Sequence, residues 1–124
     1  METSEFCFGE VIAEMLNRCV ITIKAREPFL EWLKGLPDPG NFTLDEVNSD
    51  TTAYLLPAYE DDRKRGRLLN RYFRLIFEEQ LSGWWIDERD WPSNRDLRIF
   101  KRWFEIEFHA IVLDLVNGPL LDDE

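Results

Sequence analysis

Glu105, Glu107 and His109 stand at alternate positions in the stretch WFEIEFHAIVLDL, residues 103–115. On a β-strand, alternate residues share one face, so this spacing gathers two carboxylates and an imidazole. Such a set could hold a divalent metal or act as paired acid and base groups. His109 is the only histidine in the chain, so further ligands would have to be carboxylates such as Asp87, Glu88 or Asp90. The spacing is also generic. A polar strand face carrying a hydrogen-bonded histidine accounts for it with fewer demands, and a helical course would turn Glu107 away from the other two.

Other chemistry leaves less trace. No G-x-S-x-G elbow, phosphate loop, dinucleotide fingerprint or HExxH motif occurs, and no cofactor is expected. Whether the chain is an enzyme stays open. Cys7 and Cys19 are the only cysteines, too few for a structural zinc site by themselves. Cys19 lies in the alternating run RCVITIK, which reads as packing around a buried free thiol in a reducing compartment.

Two surfaces could bind a ligand or partner. Arg63, Arg67, Arg71 and Arg74 fall on one helical stripe, and Arg95, Arg98 and Arg102 on another. Arg67 and Arg71 are the pair best placed to grip a phosphate or an acidic peptide, because guanidinium forks hold such anions bidentately. Salt-bridged, solvated faces are the alternative, with Glu60-Asp61-Asp62 nearby and Arg74 spaced i,i+4 from Glu78. Basic residues early in that helix and Glu78-Glu79 near its end oppose the helix dipole, which local preference does not explain. The second surface is Trp84, Trp85 and Trp91. An adjacent pair on an extended segment points to opposite sides, so one indole should face outward as a contact surface; the alternative is that both cap the sheet edge as core.

These residues need elements to position them. From Ser93 to Trp103 the apolar spacing is helical, with Ser93 as N-cap and Asp96 three residues on. From Phe104 onward it switches to the period of a strand. A strand is expected over Arg18–Lys24. A helix opened by Pro28 and stopped by Gly35 follows. Next come a capping-box turn at Thr43 and Glu46, a strand over Thr51–Pro57, and a long helix over Glu60–Ser82 with Gly83 just beyond its end. Phe8, Val11, Ile12, Met15 and Leu16 fit a short helix, or else residues 1–14 are an extension. Residues 15–124 then form a single domain. The expected fold is α+β, a small three-stranded sheet with helices packed on one face. After Asn117-Gly118-Pro119 the end of the chain should fray.

Composition narrows the function classes. A chain of 124 residues with 44% hydrophobic and 14% aromatic residues can fill one core. Its 25 acidic against 15 basic residues leave a net charge of −10, which weakens attraction to nucleic acid and to anionic membrane. No stretch approaches the ~18 uninterrupted apolar residues of a membrane span; Ala110–Val116 is broken by Asp114. The acidic beginning METSEFCFGEVIAEM, with no Lys or Arg before Arg18, does not read as a secretory or transit segment. A cytoplasmic location is expected.

The phrases MLNRCVITIKAREPFLEWLKGLPDP, TAYLLPAYEDD, EEQLSGWW and WFEIEFHAIVLDL resemble a group of small bacterial proteins, some carrying a VacJ label. The resemblance covers most of the chain from Met15 and implies a start at Met15, but it brings no activity or site. VacJ-type lipid transport belongs to lipoproteins, and this sequence departs from them in having no signal peptide or lipobox before Cys7. The function expected from the residues is a cytosolic protein-interaction module without catalysis, binding a protein partner or a second copy of itself. A metal- or anion-dependent enzyme built on Glu105, Glu107 and His109 is the alternative.

Overall fold

The computed structural model describes residues 4–8, 11–116 and 118–121, with side chains from Met15 onward. In chain order the elements are β1 (Ser4–Phe8), β2 (Val11–Met15), β3 (Arg18–Ala25), α1 (Glu27–Lys34), α2 (Leu44–Val47), β4 (Ala53–Pro57), α3 (Arg65–Trp84), α4 (Leu97–Trp103), β5 (Phe104–His109) and β6 (Leu113–Asp114). Short 3-10 turns at Asp62–Lys64 and Glu88–Asp90 precede α3 and α4.

The fold is α+β, and β3 is its centre. It pairs antiparallel with β4 on one side and β5 on the other. Cys19, Ile21, Ile23 and Ala25 are buried on one face, while Val20 and Thr22 are half-buried and Lys24 exposed on the other. The register carries that division across the sheet: Ile21 lies opposite Phe108, Ile23 opposite Ile106 and Ala25 opposite Phe104. The buried face is covered by Phe29, Leu30 and Leu33 of α1, Leu69, Phe73, Ile76, Phe77 and Leu81 of α3, and Phe100 of α4.

The core is densest where α4 turns into β5. Phe104 and Phe77 meet edge to face at 5.6 Å, and Phe100 lies 5.1 Å from Phe104 and 5.5 Å from Phe77. Such pairs add roughly 0.5–1.5 kcal/mol each beyond area burial. The change of apolar period at Trp103–Phe104 is therefore a real helix-to-strand junction, with the Arg26 amide bonded to the Trp103 carbonyl (2.8 Å). Asn48 closes the same end: its side chain accepts from the Ala25 amide (2.8 Å) and donates to the Ala25 carbonyl (3.0 Å). One amide side chain thus supplies the pairing that a strand neighbour would have given.

Several local expectations hold. Pro28 opens α1 and Gly35 caps it, and Thr43 and Glu46 form a reciprocal capping box (3.0 and 3.2 Å). Others are corrected. The N-cap of α4 is Asp96, accepting from the Ile99 amide at 2.9 Å, rather than Ser93; a carboxylate beside the helix start is favoured by the dipole as well as by the hydrogen bond. Gly83 lies inside α3 instead of ending it. Continuing the helix through Gly83 brings Trp84 edge-on to Phe42 (5.1 Å) and Phe29 (6.4 Å), contact that outweighs glycine's preference for a cap.

A second three-stranded sheet stands where a short helix or an extension was expected. β1 pairs with β2 as a hairpin, and β2 pairs with β6. The Leu16 amide donates to the Val112 carbonyl (2.8 Å) between the two sheets. There four residues, Leu16 to Cys19, face three, Ala110 to Val112. The extra residue interrupts regular pairing there, and the two sheets are separate. After β6, Gly118 takes a φ of 130°, open to glycine without strain.

Candidate functional site

The strand face carrying Glu105, Glu107 and His109 forms as expected, on the side of β5 away from the helices. Opposite them on β3 lie Lys24, Thr22 and Val20. His109 Nε2 is 2.8 Å from Glu107 Oε1, with the two side chains 45% and 70% exposed. Glu105 faces Lys24, an opposite-charge cross-strand pair. Two of the three supporting acids, Asp87 and Asp90, are engaged elsewhere. Asp87 holds Arg89 (2.8 Å), and the Asp90 carboxylate accepts from the Trp85 indole (2.9 Å). Among the described residues no three His, Cys, Asp or Glu side chains group so as to hold a metal ion. The face is an exposed pair beside a third carboxylate.

The tryptophans are tied into the body. Trp84 is the last residue of α3 and Trp85 the first extended one (φ −155°, ψ 118°), so the pair is not an extended dipeptide with alternate sides. Both are half-buried against the core, as is Trp91. The Trp91 indole donates to the Trp85 carbonyl (2.8 Å), and that of Trp32 to the Asp90 carbonyl (2.9 Å). Arg95 stacks over the Trp91 ring at 5.6 Å and donates to the Pro92 carbonyl. Buried indole N–H groups require partners, and here they fold the segment 84–92 onto itself. The side chain that does stand out is Ile86, 85% exposed, which the sequence did not single out.

The arginine stripe divides in two. Arg63 is held by Asp61 (2.6 Å), whose carboxyl is kept below its ordinary range by that guanidinium. Arg65 pairs with Asp62 (3.5 Å), donates to the Tyr59 hydroxyl (2.9 Å) and lies over the Tyr59 and Phe108 rings, 5.3 Å from each. Beyond them, Lys64, Arg67 and Arg71 line a cleft of about 460 Å³ with Tyr59 and Leu68. Among the described residues none of these three cations has a carboxylate within 4 Å, and Arg74 and Glu78 do not close the ion pair their spacing allows.

Two features went unread in the sequence. The Tyr54 hydroxyl donates to Glu79 and accepts from Gln80 (2.8 Å), and Gln80 also reaches Thr52 (3.2 Å). Burial pushes the Tyr54 phenol above its ordinary range. This network borders a polar cleft of about 250 Å³ with Asp50, Thr51 and Trp84; Gln80 on the apolar stripe of α3 was its signal. The second is the run after β5, where Ile111, Leu115, Val116, Leu120 and Leu121 are 60–80% exposed and Leu113 41%. Cys19 is buried, its thiol 3.4 Å from the Pro57 carbonyl and pushed up by burial, which makes it packing and not a nucleophile.

The chain matches no protein-family model, no curated protein and no solved structure. Among the described residues, no helix is long and apolar enough to cross a membrane.

Proposed function

We propose that the protein is a small cytosolic protein-interaction module without catalytic activity. The observation that carries this reading is the exposed apolar run from Ile111 to Leu121. Large aliphatic side chains clustered in water mark contact surfaces in ordinary soluble domains. The contact surface is accordingly placed on the strand arm beyond His109, and not on Trp84, Trp85 and Trp91, whose rings already have partners within the chain. Leu55, half exposed on the face of β4 away from the helices, adds to the apolar surface of the sheet. A metal-dependent enzyme has less support, because Glu107 and His109 form an exposed pair while Glu105 stands opposite Lys24.

A chain carrying Ile111→Asp and Val116→Asp tests the reading. Its thermal midpoint should match that of the unaltered protein, since neither side chain belongs to the core. Self-association by light scattering, and capture of partners from a cytosolic extract, should both be lost. Equal association by the altered chain, or an unaltered chain that stays monomeric and captures nothing, would remove the basis for the proposal.

A further inference from the structure

The cleft beside the start of α3 offers a second, independent site, and the geometry points to a small phosphate-bearing ligand with an apolar or aromatic portion as its occupant. Lys64, Arg67 and Arg71 line it, exposed and without acidic partners among the described residues, and Glu60 is the one carboxylate beside them. Three cations against one anion leave a local charge of +2 on a protein whose net charge is −10. Acids were available: Asp61 and Asp62 lie within a few residues, yet they neutralise Arg63 and Arg65 instead. Arg67 and Arg71 are one turn apart on α3, about 6 Å along the axis, a separation that lets both guanidinium forks reach one tetrahedral dianion.

The remaining lining selects what the anion is attached to. Ala58, Tyr59 and Leu68 are half-buried, and Tyr59 is fixed by Arg65, which donates to its hydroxyl and covers its ring. A wall already ordered costs little further freedom on binding. The size of the ligand follows from charge. Attraction between exposed charges fades over about 8–10 Å at ordinary ionic strength, so a small dianion in the cleft senses mainly the three cations and Glu60, whose sum is positive. A nucleic acid or an anionic bilayer extends past that distance and meets the acidic remainder of the surface.

Titrating the full chain with phenyl phosphate, inorganic phosphate and phenol, followed by amide chemical shifts, tests the assignment. Phenyl phosphate should bind at least about tenfold tighter than either fragment and perturb residues 58–71, since a charge-assisted pair and an apolar contact each contribute on that scale. Arg67→Ala and Arg71→Ala should each weaken it by about tenfold without moving the melting midpoint. Arg63→Ala, which removes a cation already paired with Asp61, should change it by less than about twofold. The proposal is overturned if phenyl phosphate binds no tighter than inorganic phosphate, or if Arg63→Ala weakens binding as much as Arg67→Ala. It is equally overturned if a short Glu-rich peptide competes at lower concentration than phenyl phosphate, which would make the occupant an acidic polypeptide.

Discussion

The two three-stranded sheets are halves of the β structure that differ in what covers them. Between β3 and β5 the alternation of apolar and polar residues becomes a division between a buried and an open face, because α1, α3 and α4 pack on one side. Past the break at Leu16 and Asn17, β2 pairs with β6 in the other sheet, and the apolar residues Leu113, Leu115 and Val116 stand in water. Both halves contain strand-forming sequence with large aliphatic side chains. Among the described side chains, burial follows from the helices and not from the strands.

That contrast can be tested from its strongest consequence downward. Phe104→Ala, in the buried half, should lower unfolding free energy by about 3–5 kcal/mol, whereas Leu115→Ala should change it by no more than ~0.5 kcal/mol. Urea denaturation of both variants measures the difference; comparable losses would mean that the outer half is core. Asn48→Ala should cost about 1–3 kcal/mol, because it leaves the amide and carbonyl of Ala25 without partners at the closed end of the sheet. Proton exchange at the Ala25 amide should accelerate in that variant while exchange at Leu16 stays as it was.

The smallest effect is a pH dependence. The Tyr54 phenol, pushed up by burial, stays protonated in the folded chain after the same group in the unfolded chain begins to ionise near its ordinary value of 10. The unfolded state then loses its proton first, so stability should fall as pH rises past about 10. Tyr54→Phe should cost about 1 kcal/mol at neutral pH and flatten that alkaline fall. An unchanged slope in the variant would assign the fall to other groups.

The sequence foretold most of the covered half and little of the uncovered one. Alternation in RCVITIK, proline at the start of α1, the Thr43–Glu46 capping box and the change of period at Trp103–Phe104 are local signals, and each gave the element observed. Phe8, Val11, Ile12, Met15 and Leu16 carry spacing compatible with a helix, and the strand state of Ser4–Phe8 and Val11–Met15 depends on pairing with one another and with β6, a partner about a hundred residues away. Gly83 was misread for a related reason: the contacts of Trp84 with Phe29 and Phe42 outweigh the local preference of glycine. Within the candidate sites, the shared face of Glu105, Glu107 and His109 followed from the strand period. The split between Arg63 and Arg65, which hold carboxylates, and Arg67 and Arg71, which have none within 4 Å among the described residues, did not, since it rests on which carboxylates the chain turns toward each side chain.

The register of β3 against β5 also sets the order in which the protein can assemble. β3 leaves the ribosome before its partner Phe104–His109, which lies 79 to 89 residues further along the chain. At translation rates of about 5–20 residues per second, that interval lasts roughly 4–18 s. Throughout it, one edge of the central strand and the row Cys19, Ile21, Ile23 and Ala25 lack their final neighbours. α1 and β4 arrive sooner and shield part of that row, but the aromatic cluster around Phe104 cannot close before the strand bearing it exists. Folding is therefore gated by non-local pairing, which slows it relative to helical proteins of this length, and the nascent chain carries an exposed β-edge for seconds, the interval in which a chaperone would matter most.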